Sequence, residues 1–295
     1  MKARTPILPA AILLGLLWSG GVAMAQNNST SPKTPAEAGV DQILPLWPGD
    51  VPGLEKPLHK NESVEEDFKF KAVSHPELWV GMPKTPGKNR AAVIILPGGG
   101  YGSLGMGKVF RNTVAMFNEL DVVAFGLKYR IARGGNNYFA EAKADAQRAV
   151  RLVRARADEW GIDPKRVGVL GFSAGGNVCV NLLGSFDEGD PTSADPVARM
   201  SSRPDFVALI SPWPAKKPTA AYPILPNPPP VFIASAEDDP VAAPQFAREI
   251  GEKIQGQGGK VEFFSVPTGG HTAFDLGVST GPGVNWLEAM KPMFP

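Results

Sequence analysis

Val167-Gly168-Val169-Leu170-Gly171-Phe172-Ser173-Ala174-Gly175-Gly176 decides the fold of this 295-residue chain. A short apolar run leads into G-x-S-x-G, and the residues that follow accept a helix. Strand, sharp turn and helix in that order make a nucleophile elbow, which pushes one serine hydroxyl out of the end of a sheet. The flanking glycines serve that geometry. The turn holds the serine in strained backbone, and side chains beside it would collide with the adjoining strand and helix. The pentapeptide alone occurs by chance in many proteins, so its weight comes from the strand before it and the helix after it.

Outward from the elbow, apolar runs of the same kind recur at Ala92-Val93-Ile94-Ile95-Leu96, Val122-Val123-Ala124-Phe125, Phe206-Val207-Ala208-Leu209-Ile210, Val231-Phe232-Ile233-Ala234 and Val261-Glu262-Phe263-Phe264. Runs with little polar alternation read as strands covered on both faces. Helical patterns lie between most of them. The clearest runs from about Tyr138 to Trp160, with Ala142, Ala146, Ala149, Val150, Val153 and Ala157 on one face; Gly161 is its natural stop. Alternating strands and helices predict an α/β fold, a mostly parallel sheet with helices on both faces and ligands at the carboxyl ends of the strands. Between Leu46 and about Arg90, short pieces such as Phe68–Val73 suggest one or two antiparallel edge strands.

The chain opens with Lys2 and Arg4, an apolar stretch from Ile7 to Trp18 and small residues ending Ala23-Met24-Ala25. This pattern predicts a signal peptide over residues 1–25 and an exported protein, periplasmic or secreted. An uncleaved anchor is the competing reading, although the stretch is short for a span and Pro9 interrupts it. Residues 26–45 read as a flexible lead-in rich in Asn, Ser, Thr and Pro, and 46–295 as one catalytic domain. The formal charge of +1 suggests neither nucleic acid nor an anionic membrane surface as partner, and no stable membrane association is expected after signal cleavage. The single cysteine, Cys179, has no partner for an intramolecular disulfide and suits a buried apolar place on the helix after the elbow. His59, His75 and His271 form no metal-binding pattern, so no tightly held transition metal is expected.

A serine hydroxyl is a weak nucleophile at neutral pH and needs a base, with a third group to orient that base. His271 is the histidine beyond the elbow, in the glycine-rich stretch Thr268-Gly269-Gly270-His271-Thr272 after the last apolar run. The acid belongs between serine and histidine in chain order. Glu237-Asp238-Asp239 follows the run Val231–Ala234; Asp239 is preferred because Asp239-Pro240-Val241 turns into the next helix, with Asp238 as the alternative. An oxyanion needs preorganised donors, for which the N–H groups of Ala174, Gly99 and Gly100 are the candidates. Phosphate binding by Pro97-Gly98-Gly99-Gly100 lacks both a Lys-Ser/Thr pair and G-x-G-x-x-G spacing.

With these parts in order, the chain resembles the α/β-hydrolase superfamily, and more narrowly the bacterial secreted esterases grouped with acetyl xylan esterases and feruloyl-esterase-like proteins. The resemblance rests on Leu46-Trp47-Pro48-Gly49, Leu96-Pro97-Gly98-Gly99-Gly100-Tyr101, Leu127-Lys128-Tyr129-Arg130, Asp145-Ala146-Gln147-Arg148-Ala149, Trp160-Gly161-Ile162-Asp163-Pro164 and the elbow. It implies Ser173, Asp239 and His271 as a triad, no cofactor, and acylated polysaccharides such as xylan as substrates. The chain departs from such relatives at Asn177, where histidine often stands, and at Ala242-Ala243, where Val-Pro commonly follows the acid. Ser211 to Pro230 is too proline-rich to build a helical cap, which predicts an open cleft with little or no lid. Tyr101, Trp213 and Tyr222 are candidates to stack on sugar rings. A generalist short-chain carboxylesterase, a serine peptidase and a catalytically dead binding protein are the alternatives.

Overall fold

The computed structural model describes residues 34–53, 62–131, 138–274 and 286–293, so the expected signal over 1–25 lies outside the described residues. Its strands are β1 (Gln42–Pro45), β2 (Ser63–Glu65), β3 (Lys69–Lys71), β4 (Glu77–Gly81), β5 (Arg90–Leu96), β6 (Leu104–Gly105), β7 (Val123–Lys128), β8 (Ile162–Phe172), β9 (Val207–Ile210), β10 (Val231–Ala236) and β11 (Val261–Val266). Its helices are α1 (Met106–Lys108) and α2 (Ala115–Glu119), joined by a π-helical turn over Val109–Val114, then α3 (Tyr138–Ala155), α4 (Ala174–Leu183), α5 (Pro244–Gly256) and α6 (Trp286–Met290).

Eight strands form the main sheet in the order β1-β4-β7-β5-β8-β9-β10-β11. From β7 to β11 every pairing is parallel, and β1 and β4 close one side antiparallel. The apolar runs occupy the middle because both faces are buried. In β5, Ala92, Ile94 and Leu96 enter one core with α3, α4 and α5, whereas Val93 and Ile95 enter the other with Phe110, Phe117 and Trp286. This is the predicted doubly covered parallel sheet. Ser173 sits where the central strand β8 passes into α4.

Two expectations need correction. The lead-in expected over 26–45 carries structure from Ala36–Ala38 onward, and Gln42–Pro45 is a sheet strand paired to β4. Asn, Ser and Pro mark only its first part; Leu44 supplies the apolar side chain that reaches the core. The extended piece Phe68–Val73 contributes β3 to a separate three-stranded sheet with β2 and β6, not an edge of the main sheet. Its alternation of Lys69, Phe70 and Lys71 suits a small surface sheet. Helix α3 stops at Ala155, and a 3₁₀ turn over Ala157–Trp160 completes the predicted stretch before Gly161. Between β9 and β10 the chain forms one 3₁₀ turn, Thr219–Ala221, and no α-helix. Among the described residues no helix is long and apolar enough to cross a membrane.

Candidate active site

Ser173 takes φ 48° and ψ −112°, a conformation costly for a residue with a side chain. Its N–H donates to Ile210 O at 3.0 Å, which ties the turn to β9. Gly175 cannot be replaced cheaply, because a Cβ there would lie 2.1 Å from Leu96 O on β5. Main chain meets main chain at that point, so the elbow is pressed directly against the strand that leads into the glycine loop.

His271 comes to this turn from beyond β11. Its Nε2 lies 2.8 Å from Ser173 Oγ, and its Nδ1 lies 2.8 Å from Asp239 Oδ2. The Asp239 side chain is buried, and its Oδ1 accepts the N–H groups of Val241 and Ala242, each at 2.8 Å. With Nδ1 protonated and hydrogen-bonded to the carboxylate, Nε2 is left as an acceptor facing the serine hydroxyl. Asp238 points elsewhere: its carboxylate accepts the N–H groups of Gly269 at 3.1 Å and Gly270 at 2.7 Å. Between the two sequence candidates, geometry therefore places Asp239 against the imidazole.

The glycine loop after β5 faces the same point. A Cβ on Gly98 would lie 3.1 Å from Ser173 Cβ, while Gly99 adopts φ 132° and a Cβ there would meet Ser103 O at 2.0 Å. Gly99 O accepts the N–H groups of Gly102 and Ser103, which tightens the loop, and Tyr129 OH donates to Pro97 O at 2.7 Å from below. Ala174 opens α4, where an N–H has no acceptor within its helix. Gly98, Gly99, Gly100, Ser173 and His271 all line one cleft of about 480 Å³. Its other walls are mostly apolar: Val109 from the π-helical turn, Phe172, Ile210, Trp213, Val241 and Phe274. Ser211 also lines it, buried with φ 43°, and its Oγ has no hydrogen-bond partner among the described residues.

Of the stacking candidates, Trp213 stands at the cleft, held by its N–H donating to Ser173 O at 3.0 Å. Tyr101 does not. It is 5% exposed, packs against Tyr129, Tyr138 and Phe139, and donates its hydroxyl to Asn177 Oδ1 at 3.0 Å. Tyr222 is likewise buried, accepting from Asn177 Nδ2 at 2.9 Å and packing on Phe246. Both rings gain more from burial and a satisfied hydroxyl than from a place in solvent, so neither is a sugar platform. Asn177 is the residue that sequence reasoning left without a role. Fully buried on α4, one turn past Ser173, it also donates to Trp213 O at 2.9 Å and accepts from Asn181. A polar side chain inside an otherwise apolar helix face was the available signal. Cys179 is buried as expected, and burial pushes its thiol up, away from reactivity.

Comparison with known proteins bears on this geometry. Residues 78–195 match the BD-FAE family model. An acetylxylan esterase of Xylanibacter ruminicola is 31% identical over 97 residues, 33% of this chain and 19% of that protein. The chain thus spans about a fifth of the length of such curated relatives. Among solved structures, an acetyl ester-xyloside bifunctional hydrolase from Caldicellulosiruptor lactoaceticus aligns with a TM-score of 0.70 at 27% identity, over 86% of this chain and 95% of that one. A thermophilic esterase from Thermogutta terrifontis, solved with propionate bound, aligns at a TM-score of 0.64 and 23% identity, over 79% and 93% of the two chains, a likeness of fold. The chain has the α/β-hydrolase fold. Its likenesses run to carboxylic ester hydrolases.

Proposed function

We propose that this protein is a serine carboxylic ester hydrolase acting on short acyl esters, foremost acetyl groups carried by a carbohydrate such as xylan. The observation that carries the reading is the chain of contacts from Ser173 Oγ through His271 to the buried Asp239 carboxylate, at the floor of an open cleft. Ser173 Oγ attacks the ester carbonyl as His271 Nε2 takes its proton. The tetrahedral oxyanion is held by the N–H of Ala174 with those of Gly99 and Gly100. Collapse breaks the bond to the alcohol oxygen, which takes the proton from His271 and departs, and the acyl group stays bound to Ser173. Water, activated by the same imidazole, releases the acid and restores the serine. Asp239 holds the tautomer and stabilises the imidazolium throughout.

The carbohydrate side of the proposal is supported by the likeness to an acetylxylan esterase and to an acetyl ester-xyloside hydrolase, and by the absence of a helical lid between β9 and β10. A cleft without a helical lid on that side admits a bulky alcohol, and Trp213 lines the cleft. The N-terminal pattern of residues 1–25 adds export to the proposal. The apolar walls favour a second reading, a generalist short-chain carboxylesterase, since Val241 is 51% exposed at the rim and selects no sugar.

The test is the ratio of kcat/KM for acetyl over octanoyl nitrophenyl ester, with Ser173→Ala as the blank. A strong acetyl preference is expected, followed by acetate release from acetylated xylan. An octanoyl preference sinks the acetyl reading, and turnover surviving in Ser173→Ala sinks the mechanism.

A further inference from the structure

The acidic stretch Glu237-Asp238-Asp239 directly follows β10, and its three carboxylates face three different partners. Glu237 pairs with Arg248 on α5 at 2.9 Å and accepts from Ser265 Oγ on β11 at 2.6 Å, so it ties the end of the sheet to its flank. Asp239 takes the imidazole. Asp238 instead spans the gap to the histidine loop, where one oxygen accepts the Gly270 N–H at 2.7 Å and the other the Gly269 N–H at 3.1 Å. Those two glycines have positive φ, 127° and 59°, an arrangement that turns successive N–H groups toward one anion. The next residue is His271.

From this juxtaposition we infer that Asp238 is a positioning residue for the reaction, clamping the main chain of the histidine loop so that the imidazole stays in line between Asp239 and Ser173. The inference rests on the hydrolase reading above. Without the clamp, Gly269 and Gly270 are the two residues of the loop freest to change backbone angles, and a small swing there carries Nε2 out of hydrogen-bond reach of Oγ. The Gly270 N–H, and with it that of Gly269, holds the Asp238 carboxyl below its ordinary range, so the clamp is charged at neutral pH. Asp238 is solvent-exposed and reaches neither the cleft wall nor the serine, so its effect passes through His271 rather than through substrate binding.

The test uses Asp238→Ala, Asp238→Asn and, as a control for charge at the same strand end, Glu237→Gln. Each is followed by kcat and KM on an acetyl nitrophenyl ester, by thermal melting, and by hydrogen exchange of the loop amides. Asp238→Ala is expected to lower kcat about tenfold with KM within about twofold, the pattern of a group that acts on the transition state. Its Gly269 and Gly270 amides should exchange faster than in the parent. Asp238→Asn keeps one carbonyl acceptor and should recover part of kcat, while Glu237→Gln should stay near the parent. An unchanged kcat in Asp238→Ala, a loss confined to KM, or an equal loss in Glu237→Gln overturns the inference. Should Asp238→Ala not fold, Asp238→Asn carries the same comparison. A parent protein with no esterase turnover defeats the hydrolase reading instead, and the exchange of the two amides still reports whether the clamp exists.

Discussion

Asp239 offers the sharpest residue-level argument, because its two oxygens are not equivalent. Oδ1 is committed to the Val241 and Ala242 N–H groups, and Oδ2 alone faces His271. In Asp239→Asn the amide oxygen must take the Oδ1 place, since an NH₂ group cannot accept those two N–H bonds. The amide nitrogen then meets His271 Nδ1, forces its proton onto Nε2 and removes the acceptor from Ser173. We expect kcat to fall by about 10⁴-fold with the fold intact, the size of loss seen when this substitution is made in a serine-protease triad. Circular dichroism and kcat on the acetyl ester check it; a loss under about tenfold would mean that the acid does not set the tautomer. Ser173 and His271 were legible in the sequence because chain order and punctuation constrain them strongly: glycines flank the serine, and one histidine follows it. Asp238 and Asp239 were only partly separable, since adjacent carboxylates on one turn look alike until the loop that each one faces is known.

At the scale of the element, α4 does more than follow the elbow. Its first residue, Ala174, has an N–H with no acceptor inside the helix, and Asn177, one turn later, meets Tyr101, Tyr222 and Trp213 O. These belong to the glycine loop after β5 and to the link between β9 and β10, so one buried amide holds both sides of the cleft to the helix that follows Ser173. Asn177→Ala leaves the buried Tyr101 hydroxyl without that partner, at about 1–3 kcal/mol, and frees the half-buried Trp213 carbonyl as well. The expected result is a melting temperature several degrees lower, together with a raised KM as the Trp213 segment loosens. A variant with parent-like melting would show that water replaces the amide at no cost. The sequence marks Asn177 as a polar residue on an apolar helix, but not the loops that it joins. Helix and strand periods locate apolar faces, but they do not say which loops a single buried amide will bridge. The same limit explains Tyr101 and Tyr222, which are aromatic and in loops, as a platform would be, yet are drawn inward by an amide distant in sequence.

Across the whole molecule, several of the segments that carry the family resemblance touch one another. Trp47 Nε1 donates to Asp145 Oδ1 at 3.0 Å, Arg130 donates to both Asp145 oxygens and, through Nη1, to Pro52 O at 2.6 Å, and Arg148 Nε donates to Leu46 O at 3.1 Å. Tyr129, next to Arg130, supports Pro97 at the mouth of the glycine loop. The N-terminal stretch, β7 and α3 are therefore joined through one buried ion pair, with Arg130 and Asp145 at 1% and 0% side-chain exposure. Burial alone pushes the Asp145 carboxyl up, and the Arg130 guanidinium opposes it. Such a pair adds little net stability over an apolar pair, but removing one partner strands the other charge, typically at about 3–5 kcal/mol. Asp145→Ala should accordingly lower the melting temperature by roughly 6–20 °C, taking about 2–4 °C per kcal/mol for a domain of this size. Asp145→Ala with Arg130→Met should melt higher than Asp145→Ala alone, because the stranded charge is gone. If the double variant melts no higher, the cost lies in the lost bonds to Trp47 and Pro52 rather than in the charge, and the buttress works by hydrogen bonding.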